Sequence, residues 1–284
     1  MKPILLDKGC WKMSADFACF SLYGQRWSIA RHGHRGGHPL LLHHDLLGDG
    51  HVHPDWVSLA DAHGVEMIVI ERPGYGGTPP CGMRAIADWP GLVAPLLAQL
   101  GIASRFDVLG ISAGAPYACA LAAGMPGRVG LTLLLGGVPF VDHPEVLACY
   151  PASSQAAYAG FAASEEQTLR NRFATWCHSI TARLDDDGRM APALSAIEAH
   201  GFAGPAREAR LQALPWGVAP QAIRGPVHAW HVREDDQVPF AAVAHSLSLM
   251  PNAHLHVQTE PSHMPSLETG RDVFALLAAH ACAS

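Results

Sequence analysis

The sequence predicts an α/β fold: a mostly parallel, doubly wound sheet carrying a helical insertion. Three observations predict it. Short continuous apolar runs recur along the chain, the pattern of strands buried on both faces. Segments of helical periodicity separate most of these runs, so strand and helix alternate. The alternation lapses only between about residues 138 and 224, where helical patterns occur without a strong strand.

Taken in order, residues 18–22 and 26–30 read as two short strands joined at Gly24 in a hairpin. Pro39-Leu-Leu-Leu-His43 is a continuous apolar run bounded by Gly and Asp, as a central strand requires. Further runs follow at 66–70, 105–109, 129–135 and 226–230, with a shorter one at 254–257. Helical periodicity marks 56–63, 86–100, 113–123, 241–250 and 265–281, and within the lapse it marks 165–176. The expected organisation is a sheet domain of residues 1–138 and 225–284, with 139–224 inserted as a helical cap over the C-terminal edge of the sheet.

Composition narrows the functional classes. A chain of 284 residues, 49% hydrophobic and 15% charged, is long enough for one full core. The net charge is −6, and the 19 basic residues form no run, so binding to nucleic acid or to an anionic membrane is not expected. No stretch approaches the roughly 20 apolar residues that span a bilayer. Asp7, Lys8 and Lys12 interrupt the N-terminal apolar run Ile4-Leu5-Leu6, so no signal peptide is expected. The seven cysteines are odd in number, scattered and free of C-x-x-C spacing, which points to a reduced cytoplasmic protein.

The stretch Asp107-Val-Leu-Gly110-Ile-Ser112-Ala-Gly114-Ala-Pro-Tyr117 carries the chemistry. It reads as a buried strand, a turn too tight for large side chains, and a helix start, an arrangement that presents the Ser112 hydroxyl to a cleft. With 28 Gly and 16 Ser in the chain, G-x-S-x-G arises by chance about 0.15 times. The reading therefore needs partners. A serine nucleophile requires a base and a group to orient that base, placed on loops after later strands in the order acid, then His. His231-Val-Arg-Glu-Asp235-Asp-Gln-Val238-Pro239 and Glu260-Pro-Ser-His263-Met-Pro supply both in that order.

From about residue 20 to its end, the chain resembles the α/β-hydrolase superfamily, in particular the capped bacterial group of esterases and of lactone or C–C bond hydrolases. Glu71-Arg-Pro-Gly74-Tyr-Gly-Gly-Thr78 matches that group's D-R-P-G-Y-G-x-S, and Gly110 to Tyr117 matches its G-x-S-x-G-x-P-Y. His231 to Pro239 matches H-G-x-x-D-x-x-V-P with Val232 in the Gly position, and Pro215-Trp-Gly-Val218 matches a P-W-G-F-like segment. The resemblance implies Ser112 as nucleophile, His263 as general base and then acid, and Asp235, three residues before Val238-Pro239, as the residue orienting His263. Asp236 is the alternative acid.

Two departures from the family pattern stand out. The family's H-G-x-x-G oxyanion loop is replaced by His44-Asp45-Leu46-Leu47-Gly48, which makes Leu46 the amide donor alongside Ala113. Asp tolerates left-handed backbone geometry, but a carboxylate beside a developing oxyanion opposes its charge unless it points away or is hydrogen-bonded. Asp45 is thus either a structural side chain or a sign of altered chemistry. The second departure is Ser262, in place of Gly before His263.

Other signals are weaker. Seven histidines fall between 32 and 53, and His51-Val-His53 with Asp55 resembles part of a ligand set. Nothing completes it, so no metal is expected. Arg72 is expected to fork to a carboxylate or to backbone carbonyls in a turn beside the site. His44, Asp45, Trp176 and Trp216 are candidate substrate-binding residues, with His178 another residue of the cap's inner face.

The expected activity is serine hydrolysis of an ester, lactone or related carbonyl compound of small or medium size, through an acyl-enzyme and without cofactor, by a monomer or homodimer. Two other classes compete: a cofactor-free lyase, cyclase or oxygenase using the His–Asp pair, and a non-catalytic small-molecule binding protein.

Overall fold

The structure, a computed structural model, describes residues 16–22, 24–181, 191–260 and 262–283. The segment Ile4 to Lys12, on which the signal-peptide reading rests, lies outside them. Eight strands form one sheet in the order β1-β2-β4-β3-β5-β6-β7-β8. β1 (Asp16–Leu22) and β2 (Gln25–Gly33) make the expected hairpin, and β2 runs antiparallel to β4 (Val65–Ile70). Every other pairing is parallel, through β3 (His38–His43), β5 (Phe106–Ile111), β6 (Val129–Leu135), β7 (Val227–His231) and β8 (Ala253–Val257).

Strand alternation sorts the core into two layers. Leu40 and Leu42 face α1 (Pro54–Ala62) and α10 (Leu267–Ala283), in a cluster with Trp56, Val273, Phe274 and Leu277. Leu41 faces the opposite way, among residues of α2 (Trp89–Gln99), α3 (Ala115–Gly124) and α9 (Phe240–Ser248). The sheet is therefore wound on both sides.

Two predicted helices start differently from expectation. The segment 86–100 divides into a 3-10 turn at Ile86–Asp88 followed by α2, because Pro90 lacks an N–H and fits only a first helical turn. The helix expected from residue 113 begins as a 3-10 turn at Ser112–Gly114 and becomes α3 at Ala115.

Between β6 and β7 the described residues form no strand. They form α4 (Pro144–Leu147), α5 (Ala152–Ala163), α6 (Glu166–Thr181), α7 (Ala191–Ala199) and α8 (Ala203–Ala213). Leu169, Phe173, Leu194, Ile197 and Ala206 of these helices cluster with Tyr75 from the turn after β4. α8 sits directly on that turn. A Cβ on Gly74 would lie 2.6 Å from the Gly204 nitrogen, and one on Gly204 would lie 2.6 Å from the Gly74 carbonyl oxygen. Only glycine permits this backbone approach.

Trp216 requires a correction. It was expected at the substrate, but the structure buries it completely among core residues. Its ring packs 4.7 Å from that of Phe140, centroid to centroid, and its indole N–H donates to the Gln212 carbonyl at 3.0 Å. Its hydropathy and position on the P-W-G segment suited either role, and the packing decides for the core. Trp216→Ala is expected to lower stability by about 3–5 kcal/mol in urea denaturation; a loss below about 1 kcal/mol contradicts a core role.

Candidate active site

β5 ends and α3 begins at a turn in which Ser112 takes φ 49°, in the left-handed region that side chains avoid. The turn exists because its flanks are small. A Cβ on Gly110 would lie 2.6 Å from the Ala115 Cα, and one on Gly114 would lie 2.1 Å from the His43 carbonyl oxygen. The second contact brings the end of β3, and the loop that follows it, against the elbow.

Ser112 Oγ lies 2.9 Å from His263 Nε2, and His263 Nδ1 lies 2.7 Å from Asp235 Oδ2. The partners set the tautomer: Nδ1–H donates to the carboxylate, which leaves Nε2 free to accept from the serine hydroxyl. Asp235, rather than Asp236, reaches His263. Its other oxygen, Oδ1, accepts from the Gln237 and Val238 amides, each at 2.9 Å, which fixes the plane of the carboxylate. Burial alone would raise the Asp235 pKa, but the His263 hydrogen bond and the two amides outweigh it and hold the carboxyl below its ordinary value. His231 sits behind this carboxylate, its Nε2–H donating to the Val238 carbonyl at 2.8 Å with Asp235 Oδ2 3.3 Å away.

The His263 loop is fastened at both ends. The Gln258 amide donates to the His231 carbonyl at 2.9 Å, and Gln258 Oε1 accepts from the Thr269 hydroxyl at 2.9 Å. Gly136, at φ 53°, admits the His263 backbone, since a Cβ there would stand 2.4 Å from the His263 carbonyl oxygen.

The loop opposite Ser112 is built on Arg72. This guanidinium is fully buried, and it donates to the His44 carbonyl at 2.5 Å and the Asp45 carbonyl at 2.9 Å. Arg72 thus makes both contacts anticipated for it, since its Nε–H also donates to the Glu208 carboxylate at 3.2 Å. The rings of Tyr75 and Tyr117 flank it, their centroids 5.3 and 4.9 Å from its central carbon.

Asp45 turns back on its own loop. Its Oδ1 accepts from the Leu47 amide at 2.9 Å, an Asx turn that engages this oxygen. Burial raises its pKa, against the opposing pull of that amide, of Arg72 and of Gly48. His44 has backbone partners at both ring nitrogens: Nδ1–H donates to the Asp45 carbonyl at 2.9 Å, and Nε2 accepts from the Arg72 amide at 3.3 Å. Burial, then the neighbouring Arg72, keep this imidazole neutral far below its usual pKa. His44 is left with no ring nitrogen to engage a substrate, which corrects the expectation for it, while Asp45 holds its own loop through Oδ1. Among the described hydrogen bonds none uses the Leu46 N–H. Ala113, in the first turn after the strand, has no intrahelical acceptor for its N–H.

Trp176 is exposed on α6 and packs edge-on to Phe173, with centroids 6.0 Å apart. His178 faces Glu198 at 3.4 Å and the edge of Phe202. His53 accepts from the Asp55 amide as the N-cap of α1, and His51 pairs with Asp49 at 2.9 Å. Among the described residues, no three His, Cys, Asp or Glu side chains are grouped to hold a metal. Sequence reasoning missed Glu208. Its one signal is a charged pair, Arg207-Glu208, that follows the small residues opening the helix.

A family model described as "Alpha/beta hydrolase family" matches residues 40–276. No curated protein matches the chain. Among solved structures, it is similar to a hydrolase from Pseudomonas aeruginosa PA01, with 15% identity and a TM-score of 0.70, over 95% of this chain and 99% of that one. An esterase from Rhodococcus sp. ECU1013 aligns at 20% identity and TM-score 0.60, over 94% and 98%. An enol-lactonase from Burkholderia xenovorans LB400 aligns at 15% identity and TM-score 0.63, over 93% and 100%.

Two outcomes follow from this geometry. Gly114→Ala is expected to destabilise the protein by about 1–3 kcal/mol, because the new Cβ meets backbone rather than a yielding side chain; an unchanged urea midpoint contradicts the contact. A carboxyl with a lowered folded-state pKa contributes stability above its unfolded pKa and loses it as the pH falls through the folded value. The stability gap between wild type and Asp235→Asn is therefore expected to shrink from about pH 6 to about pH 3. A gap that stays constant contradicts the assigned hydrogen bonds.

Proposed function

The chain belongs to the alpha/beta hydrolase family and is a hydrolase enzyme, and on that premise we propose that it cleaves an ester, lactone or related carbonyl bond through an acyl-enzyme on Ser112. The observation that carries the reading is the continuous hydrogen-bond chain from Ser112 Oγ through His263 to Asp235, at 2.9 and 2.7 Å.

In the proposed cycle the Ser112 oxygen attacks the carbonyl carbon while His263 Nε2 takes its proton. Asp235 keeps the imidazole in the accepting tautomer and stabilises the imidazolium that forms. The Ala113 and Leu46 amides receive the tetrahedral oxyanion. His263 then protonates the leaving oxygen, and the acyl-enzyme forms. Water, deprotonated by the same imidazole, resolves it. The helices between β6 and β7 act as a cap (residues 139–224) that shapes the space above Ser112 for a small or medium organic substrate. Similarity to an esterase and an enol-lactonase agrees with this substrate class.

The reading needs no cofactor, nucleic acid or membrane. No described helix is long and apolar enough to cross a membrane, and the scattered cysteines favour a reducing, cytoplasmic setting. The lyase, cyclase or oxygenase alternative drew on the His44-Asp45 pair. His44 is engaged at both ring nitrogens and Asp45 at Oδ1, which favours acyl transfer.

A fluorophosphonate probe is expected to label the wild type at Ser112 and to leave Ser112→Ala unlabelled. Turnover of a p-nitrophenyl ester is expected to fall at least about 10⁴-fold in that variant. Absence of labelling in the wild type, with full turnover by Ser112→Ala, would falsify the acyl-enzyme.

A further inference from the structure

Burying a carboxylate and a guanidinium is unfavourable unless each is paired and hydrogen-bonded, so a fully buried pair calls for a physical reason. Arg72 and Glu208 are both 0% exposed, and they come from distant parts of the chain: the turn after β4 and helix α8. Glu208 Oε1 accepts from Arg72 Nε at 3.2 Å and from Arg207 Nη2 at 2.9 Å.

Arg72 does not end at Glu208. Its Nη2 donates to the Asp45 carbonyl at 2.9 Å. That carbonyl and the Leu46 N–H belong to one planar trans peptide, in which C=O and N–H point in opposite directions. Holding the oxygen on the guanidinium therefore aims the N–H the other way. Donation to the carbonyl also polarises the peptide, which makes its N–H a stronger donor. The hydrogen bond from Nη1 to the His44 carbonyl fixes the preceding peptide as well.

We propose that Glu208 is a positioning residue for the oxyanion loop: through Arg72 it orients the Asp45–Leu46 peptide, so that the seating of α8 on the sheet domain sets the quality of the oxyanion donor. The proposal rests on the acyl-transfer reading above. It gives the helical segment a second role besides shaping the substrate space. With α8 unseated, Arg72 loses its counter-charge and the loop loses its fixed peptide planes.

The test uses Glu208→Gln in the full chain, with Glu208→Asp as the variant that keeps the charge but shortens its reach, should the first fail to fold. Glu66→Gln is the control. It neutralises a buried carboxylate that pairs with the partly exposed Arg31 and Arg35 at the sheet, and it is expected to lower Tm while leaving kcat unchanged. For the Glu208 variant, kcat for a p-nitrophenyl ester and the fluorophosphonate labelling rate are expected to fall about 10–100-fold, with KM within about threefold. Amide hydrogen exchange in the 44–50 segment is expected to accelerate about tenfold or more.

A folded Glu208 variant with wild-type kcat, labelling rate and 44–50 exchange overturns the proposal. If the wild type is not labelled by fluorophosphonate, the acyl-enzyme reading fails instead, and the exchange measurement alone decides whether Glu208 holds the loop.

Discussion

The site depends on one steric condition: backbone must approach backbone around Ser112 with no side chain between. Gly110 lets the new helix fold back on β5, and Gly114 lets it meet the end of β3. The left-handed Ser112 is the residue that closes this turn, at a conformational cost of about 1–2 kcal/mol. Once the turn is made, the end of β3 and the start of α3 stand side by side. Gly136 repeats the device for the third segment, admitting the His263 backbone. The hydrogen bonds that join Ser112, His263 and Asp235 are short because these contacts have already positioned the backbones that carry them.

The second organising feature is the buried cation at Arg72. Sheet enzymes place their reacting groups on loops, and loops lack the ladder bonds that hold strands. Here the guanidinium takes the place of a ladder, gripping two successive carbonyls. It also gives α8 a point of attachment, because its counter-ion is on that helix. The close approach of Gly74 and Gly204 brings α8 down far enough for Glu208 to reach. The contacts that seat α8 and those that hold the loop thus share one ion pair.

Much of this was legible in the sequence. The strands were, because strands buried on both faces appear as unbroken apolar runs, as in Leu40-Leu41-Leu42. Ser112, Asp235 and His263 were, because the chemistry fixes residue type, order and the neighbouring small residues, and the structure brings the three together. What was not legible involved partners distant in sequence. For Asp45 the sequence leaves a structural and a chemical role open, and the bond from the Leu47 amide to its Oδ1 comes only with the loop's geometry. Trp216 reads as a substrate contact because an aromatic residue between β6 and β7 suits a core and a cleft equally well, and only the fold buries it. Glu208 gave almost no signal, since an Arg-Glu pair on a helix usually marks a solvated face. Only the fold shows that Arg72, 136 residues away, needs a counter-charge there.

The central claim is a common acyl-enzyme on Ser112, and product partitioning tests it most directly. Two esters of one acid with different leaving groups are hydrolysed in the presence of methanol, and the ratio of methyl ester to free acid is measured for each. A shared acyl-enzyme predicts the same ratio for both esters at every methanol concentration, with the methyl ester lost in Ser112→Ala. Ratios that depend on the leaving group would mean that solvent attacks the substrate directly, and would contradict the account.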